Sequence, residues 1–288
     1  MRSTSETLAA PAAPSPTDEA LPEGRQRARR LGLPDWAYPV ITLALVLALW
    51  EAITVLFKVP LYLAPPPSRV VVALGANAGL LLHHSWATLQ EILLGFLASI
   101  LVGVPLAMAI VSWRTVEKSL YPILVGSQVV PKVALAPLFV VWFGFGMQPK
   151  VVVAFMIAFF PIVIDTIVGL RTVEIEKLYL VRSMGASRLQ TFFLVRLPQA
   201  LPNIFGGLKI SITLAVVGAI VGEFIGADAG LGRLLLLANG QMDTVMLFAA
   251  ITALTIMGVV LFLAVDLLER LLLPWHVSRR LDHLTGTM

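Results

Sequence analysis

The segment Tyr179-Leu-Val-Arg-Ser-Met-Gly-Ala-Ser-Arg-Leu-Gln-Thr-Phe-Phe-Leu-Val-Arg-Leu-Pro198 interrupts a chain that otherwise consists largely of apolar runs. Arginine recurs through it, as Arg182, Arg188 and Arg196. Hydrocarbon strongly disfavours such charges. The segment therefore predicts a loop outside the bilayer, with membrane-spanning helices on both sides of it.

The composition supports a membrane protein. Of the 288 residues, 58% are hydrophobic and 13% are charged, whereas roughly a quarter of the residues in a soluble domain are charged. The chain has no cysteine, which excludes disulfides, thiol catalysis and thiolate metal sites. Its net charge of +4 is explained by basic residues in cytoplasmic loops, so no nucleic-acid partner is predicted.

Apolar runs predict six transmembrane helices, since each is long enough to cross a bilayer at about 1.5 Å per residue. They cover about residues 38–57, 91–112, 120–145, 151–170, 204–225 and 245–268. The third span contains Pro122, Pro131 and Pro137 and should be bent or locally unwound.

Shorter features are predicted around these spans. Residues 70–82 suit an amphipathic helix at the membrane interface, and Gly144-Phe-Gly146 with Gln148-Pro-Lys150 suit a tight outer turn. Small residues at four-residue spacings in the second span should let helices approach closely. They are Gly95, Gly103 and Ala107.

The distribution of basic residues predicts the orientation. With the N-terminus inside, fifteen Lys and Arg face the cytoplasm and four face outward, while Lys132 and Lys209 lie within spans. Both termini and the opening segment are therefore predicted to be cytoplasmic. The predicted domains are a disordered tail over 1–35, a six-span domain over 36–272 with a cytoplasmic loop at 171–203, and a C-terminal tail over 273–288.

The cytoplasmic loop has the pattern of two short helices that meet at a glycine. Gly185 can take the left-handed conformation that ends the first helix, and Ser187 can cap a second helix over 188–196. That helix should stop before Leu197 and Pro198, because proline disfavours a helical residue ahead of it. Two interpretations stay open: a loop that buries apolar side chains against lipid, and a rigid corner on which another protein docks.

The spacing of this loop resembles the loop by which the membrane subunits of ATP-binding-cassette (ABC) importers bind their ATPase. The family pattern is Glu-Ala-Ala, three residues, Gly, nine residues, an aliphatic residue, one residue, then Leu-Pro. Alignment on Gly185 places Val195, Leu197 and Pro198 as expected, although Tyr179-Leu-Val181 replaces Glu-Ala-Ala.

Other motifs resemble the permeases of the nitrate, sulfonate and taurine branch of that family. They are Leu63-Ala-Pro-Pro-Pro-Ser-Arg-Val70, Ser127-Gln-Val-Val-Pro-Lys-Val-Ala-Leu-Ala-Pro-Leu138, Trp142-Phe-Gly144, Gly222-Glu-Phe224 and Gly230-Leu-Gly232.

The resemblance implies an all-α permease of the type I importer fold, with six transmembrane helices and short cytoplasmic coupling helices between spans 4 and 5. It implies a homodimer in the bacterial inner membrane, two cytoplasmic ATPase subunits that use ATP and Mg, and a periplasmic or surface-tethered binding protein. The complex would import a small anionic or polar substrate by alternating access. Permeases of this branch carry sulfonates, taurine, nitrate, bicarbonate, aromatic carboxylates or vitamin precursors.

The chain itself is predicted to be neither an enzyme nor cofactor-binding, because it has no Gly-x-x-x-x-Gly-Lys-Ser/Thr loop for ATP phosphates. No metal site is predicted either. His83 and His84 would project about 100° apart on a helix, which suits a shared metal ion poorly.

Two groups of residues are candidate sites. The ATPase-coupling group is Met184, Gly185, Ala186, Ser187, Arg188, Val195, Leu197 and Pro198, and the translocation-path group is Gln128, Pro131, Lys132 and Glu223. Lys132 is explained equally by a structural lysine that reaches the interface and by a pathway lysine. Glu223 suits an outer gate, a pair with a nearby basic residue, or a carboxylate in interfacial water.

A secondary transporter or channel driven by ion gradients is the alternative function. Its relay charges would be Glu51, Asp165, Lys209 and Asp266. Relays usually gather carboxylates near the middle of the bilayer, whereas Lys209 and Asp266 lie toward the ends of their spans.

Overall fold

The computed structural model describes residue 34 and residues 37–275, and this part of the chain is helical with no strand. The α-helices are α1 (Ala37–Leu56), α2 (Pro67–Ala76), α3 (Ala78–Ser112), α4 (Arg114–Ser127), α5 (Ala136–Phe143), α6 (Met147–Arg171), α7 (Ile175–Ser183), α8 (Arg188–Thr191), α9 (Leu197–Gly226), α10 (Leu231–Gly240) and α11 (Thr244–Leu272). A 3-10 turn covers Lys132–Leu135, and a π-helical turn covers Phe192–Arg196.

Five helices in the described residues are long and apolar enough to cross a membrane: α1, α3, α6, α9 and α11. A sixth crossing forms if α4 and the segment Lys132–Phe143 are taken as one broken span, with a bend of 85° between them. Pro131 lies at this break in an extended conformation. The structure therefore confirms the all-α fold and the predicted bend in the third span.

Two helix boundaries predicted for the outer side of the membrane are wrong. The interfacial helix predicted over 70–82 ends at Ala76, and the second span already begins at Ala78, after a break at Asn77. The outer turn predicted over Gly144-Phe-Gly146 and Gln148-Pro-Lys150 is confirmed at Gly144 and Gly146, whose φ values are +75° and +135°. Its second half is helical, because α6 begins at Met147. Proline is tolerated in this first helical turn, where the backbone N–H has no intrahelical partner.

The predicted stop before Leu197 and Pro198 is also wrong. The Leu197 N–H donates to the carbonyl of Phe192, five residues back, which makes a wide π-helical turn. Pro198 follows in the first turn of α9, where it has no N–H to donate, so the series of backbone hydrogen bonds is interrupted there while the helical path continues. The second helix of the loop consequently continues into the fifth span without a break.

Helices α3 and α9 both pack closely on α6 at Ala154. A Cβ atom added at Gly95 of α3 would lie 2.6 Å from the Ala154 Cβ, and one added at Gly218 of α9 would lie 2.6 Å from the Ala154 Cα. Larger side chains would push the helices apart, and close packing is a main source of helix association in lipid. The predicted close approach at Gly95 is confirmed, and Gly103 and Ala107 are buried as well.

The chain divides into two compact units after Leu47. Residues 37–47 of the first unit form the beginning of α1, and every element discussed below belongs to the second unit. Of the predicted tails, only residue 34 and residues 273–275 are described; the remainder of 1–35 and of 273–288 lies outside the described residues. The predicted domain boundaries stay predictions.

Candidate functional site

The loop between α6 and α9 turns sharply at Gly185, whose φ is +86°. The Gly185 N–H donates to the Arg182 carbonyl at 2.9 Å, and the Ala186 N–H donates to the Val181 carbonyl at 3.2 Å. This pair of bonds is a Schellman motif, which needs a residue in the left-handed conformation at its centre. The prediction that Gly185 ends the first helix is therefore confirmed.

Ser187 begins α8 with a capping box. The Gln190 N–H donates to the Ser187 Oγ at 3.2 Å, and the Ser187 N–H donates to the Gln190 Oε1 at 2.8 Å. These bonds satisfy backbone groups that a helix start leaves free. With the Schellman motif before it, the corner acquires a defined shape from its own hydrogen bonds.

The corner, which consists of residues 184–188, is largely exposed. Met184 is 78% exposed, and a Cβ atom added at Gly185 would meet no atom of the described residues within 4 Å. Large apolar side chains close by are exposed as well, including Tyr179, Leu189 and Leu194. A cluster of exposed apolar side chains indicates an interaction surface.

The eight residues predicted to couple to an ATPase separate into two sets. Met184, Gly185, Ser187 and Arg188 are exposed, and Ala186 is half-buried beside them. The others lie at the root of the loop, in the π-helical turn and the first turn of α9, and are half-buried: Val195, Leu197 and Pro198. The structure thus shows an exposed corner joined directly to a membrane span.

Lys132 lies at the break in the third span and lines a cavity of about 410 Å³. The other wall is aromatic, formed by Phe155, Phe159 and Phe160 of α6. The Lys132 Nζ lies 5.6 Å from the centre of the Phe160 ring, and the described residues form no ion pair with it. A half-buried cation that faces only an aromatic ring is a place where an anion can bind.

The other residues of the predicted translocation path lie elsewhere. Gln128 and Pro131 flank the break and are exposed, but neither lines the cavity at Lys132. Glu223 lies near the far end of α9 and is 1% exposed, so protein atoms surround its carboxylate. The structure therefore does not bring Glu223 into the same cavity as Lys132.

The Glu223 carboxylate ties α9 to α3 and to the turn into α10. The Thr88 hydroxyl donates to Oε1 at 2.6 Å, and the Gly232 N–H donates to Oε2. The Thr88 Oγ1 also accepts the Leu231 N–H at 2.8 Å. Since hydrogen bonds to a buried carboxylate offset its desolvation, this network holds the three segments together.

His84 completes this connection. Its Nδ1 accepts the N–H of Gly230 at 3.0 Å, and Gly230 has a φ of +131°, which favours glycine. The histidine thereby fixes the backbone just before α10. The turn from α9 to α10 is thus held by side chains of α3.

Sequence reasoning missed a buried ion pair between Glu91 and Lys150. The side chains of Glu91 and Lys150 are 1% and 7% exposed, and the buried carboxylate of Glu223 lies close enough to interact with both of them. The sequence places Lys150 in an outer turn and Glu91 at the start of a span. Glu91 and Lys150 are 59 positions apart, so no local sequence pattern joins them. The one available signal was the apolar sequence on both sides of each residue, which indicates that both lie within helices.

The relay charges of the alternative function do not form one chain in the described residues. Glu51 accepts hydrogen bonds from the backbone and hydroxyl of Ser68. Lys209 of α9 pairs with Asp266 and, at 2.6 Å, with Glu269, which both lie near the end of α11. These contacts explain most of the predicted relay charges as local pairs.

Known proteins resemble the chain over most of its length. Residues 95–276 match the family described as "Binding-protein-dependent transport system inner membrane component". The riboflavin transport system permease protein RibX of Chloroflexus aurantiacus is 38% identical over 250 residues, which are 86% of this chain and 91% of that protein. The formylaminopyrimidine transport permease protein ThiX of Halalkalibacterium halodurans is 37% identical, over 83% of this chain and 95% of that protein.

The taurine transport system permease protein TauC of Escherichia coli is 34% identical, over 82% of this chain and 88% of that protein. Among solved structures, an inward-facing MetNI methionine ABC transporter contains a chain with the same fold. The TM-score is 0.60 at 22% identity, covering 67% of this chain and 96% of that chain.

Proposed function

The chain belongs to the binding-protein-dependent transport system inner membrane components, the permease subunits of ABC importers, and we propose that its corner from Met184 to Arg188 is the docking point for the ATPase. It is a multi-pass inner membrane protein, and ATP hydrolysis belongs to a separate ATPase subunit of the transport complex. The observation that carries the docking proposal is a corner that is rigid, exposed and continuous with a span.

The corner has the mechanical properties that a coupling element needs. The Schellman motif and the capping box fix its shape, so a push from a bound protein is not absorbed by loop rearrangement. The π-helical turn carries α8 into α9 without a break. Helix α9 in turn packs on α6 at Gly218, so movement of the corner reaches the centre of the permease.

The proposed cycle uses two copies of the chain, two ATPase subunits and a binding protein. ATP binding closes the ATPase pair, moves both corners and turns the pore outward, where the binding protein releases its ligand. Hydrolysis then resets the pore inward. The excess of basic residues on the side of the corner supports a cytoplasmic location for it and for both termini.

The substrate proposed for this permease is a small anion with an apolar body. Lys132 supplies the positive charge, and the phenylalanines opposite it supply an apolar wall. One relative is named for taurine, which carries an anionic sulfonate group together with an ammonium group. We further propose that Glu223 shapes the outer gate as a positioning residue, because it holds the turn between α9 and α10.

A cross-linking experiment tests the docking proposal. The chain has no cysteine, so Ala186→Cys introduces one thiol at the corner without any other change. A benzophenone attached to this thiol should cross-link the permease to the ATPase subunit in membranes. The control is Asp228→Cys, an exposed residue beyond the other end of α9, a 30-residue helix that spans about 45 Å. Equal cross-linking from both positions, or none from position 186, would refute the docking site.

A substitution at Lys132 tests the path proposal. Lys132→Met should lower the maximal rate of uptake of an anionic substrate by about tenfold, because a half-buried charge pair contributes about 1.4 kcal/mol. Lys132→Arg keeps the charge and should retain most of the transport. Uptake of radiolabelled taurine, alkanesulfonates, riboflavin and formylaminopyrimidine by cells with the complete importer is the measurement. Unchanged rates and specificity in Lys132→Met would exclude Lys132 from the path.

A further inference from the structure

A second cavity, of about 670 Å³, lies between the end of α3 and the loop that carries the corner. Arg182, Arg188 and Arg196 all line it. Trp113 lies at its edge, directly after the last residue of α3. The cavity thus combines three positive charges with an aromatic residue at the end of a membrane span.

The three arginines have no carboxylate partner in the part of the chain that the structure describes. The ion pairs of the neighbouring loop involve other residues, such as Arg171 with Glu117 at 2.5 Å and Lys177 with Glu174 at 3.2 Å. Guanidinium groups bind phosphate with paired hydrogen bonds, and several of them around one cavity favour an anion. The charge of the cavity is therefore available to a ligand.

The other wall of the cavity is formed by a membrane-spanning helix. Pro105, Met108 and Ala109 line it, and all three lie in the last turns of α3, one of the candidate membrane spans. Leu189 and Phe193 of the loop extend this apolar surface. A soluble anion would use only the arginines, whereas a ligand with a hydrocarbon chain uses both walls. Tryptophan at the edge also suits the headgroup level of a bilayer.

We propose that this cavity binds an anionic phospholipid, with the headgroup phosphate between Arg182 and Arg196, which lie outside the docking corner, and an acyl chain along the end of α3. Arg188 stands at the base of the corner, so the bound lipid would brace the corner against the membrane. This ligand differs from the imported substrate and from the ATPase.

Lipid retention by the assembled importer tests the proposal. The permease with its ATPase is placed in nanodiscs of phosphatidylcholine and phosphatidylglycerol, extracted into mild detergent and analysed by native mass spectrometry. The wild type should retain phosphatidylglycerol in preference to phosphatidylcholine. The variant Arg182→Gln/Arg196→Gln should lose about fivefold in this preference per arginine removed, since each contributes roughly 1 kcal/mol near an anionic lipid.

Two further variants distinguish lipid binding in the cavity from a general effect of surface charge. Lys118→Gln/Lys177→Gln removes the same charge from exposed positions that do not line the cavity and should keep the preference. Ala109→Phe fills the cavity without a change of charge and should lose it. The Ala109→Phe result keeps the test valid if the double arginine variant fails to assemble.

Four results would overturn the proposal. They are equal loss of preference in both charge variants, full retention in Ala109→Phe, displacement of the lipid by inorganic phosphate, and retention only when the ATPase is absent. Displacement by phosphate would identify a site for soluble anions, and the effect of the ATPase would identify a protein contact. Neither result would alter the cross-linking expected from position 186, so the two proposals fail separately.

Discussion

Gly185→Val is expected to abolish the stimulation of ATP hydrolysis by the loaded binding protein, while the permease still reaches the membrane and still binds its ATPase. The φ of +86° at Gly185 is a conformation that costs a non-glycine residue about 1–2 kcal/mol, and a β-branched residue is worse. Valine would relieve this strain by opening the Schellman motif. The corner would then lose its fixed shape, and movement of the ATPase would no longer reach α9.

Two milder substitutions show whether conformation or side-chain size is responsible. No atom of residues 37–275 lies within 4 Å of a Cβ placed at position 185, so this part of the permease has room for a side chain. Asparagine is tolerated in the left-handed conformation, so Gly185→Asn should keep most of the coupling. Gly185→Ala should give an intermediate loss.

The measurement is ATPase activity of the reconstituted importer with and without loaded binding protein, with the amount of permease in the membrane determined in parallel. Full coupling in Gly185→Val would disprove the role of Gly185. If Asn were as damaging as Val, the cause would be a clash with the docked ATPase, because backbone strain alone would make Asn much less damaging than Val.

Local chemistry explains why the corner was predictable from sequence. A glycine that ends a helix and a serine that caps the next one act on residues only a few positions away. The roles of Gly185 and Ser187 could therefore be recognised from the local sequence. Apolar runs likewise predict the spans, since crossing a bilayer requires length and hydrophobicity alone. The break near Pro131 follows from the same kind of local rule, because proline lacks the backbone donor that a helix needs.

The tertiary contacts of the site were not predictable in this way. The partners Glu91 and Lys150 come from different helices, and each looks like an ordinary residue at the end of a span. Thr88 and Glu223 meet across 135 positions. Their pairing depends on how α3, α6 and α9 pack. The sequence predicted a close approach at Gly95, but that its neighbour is Ala154 of α6 is known only from the structure.

Lys150→Met is expected to destabilise the permease more than the removal of any exposed charge. Lys150 and Glu91 are both buried, so the substitution leaves a carboxylate without its partner in a place that water does not reach. Removal of one partner from a buried pair costs about 3–5 kcal/mol. The thermal denaturation midpoint of the detergent-solubilised importer, followed by fluorescence-detected size-exclusion chromatography, should fall accordingly.

The matched comparison is Arg171→Met, which breaks the pair with Glu117. The side chains of that pair are 44% and 40% exposed, and their charges are screened by water. Exposed pairs contribute up to about 1 kcal/mol, so this variant should change the midpoint little. A difference between Lys150→Met and Arg171→Met therefore measures the effect of burial, since both replace a basic residue by methionine.

Replacement of both partners of the buried pair distinguishes an unpaired charge from lost packing. In Lys150→Met/Glu91→Met no charge of the pair is left behind, and among the described residues the buried Glu223 carboxylate is the one nearby charge that still loses the attraction of Lys150. Apolar replacement of a whole buried pair is often neutral or stabilising. The double variant should thus be more stable than Lys150→Met, which is a favourable coupling in a double-mutant cycle. If instead the double variant is the less stable of the two, the methionines pack poorly between α3 and α6, and Lys150→Met acts through the shape of its side chain rather than through the charge of Glu91.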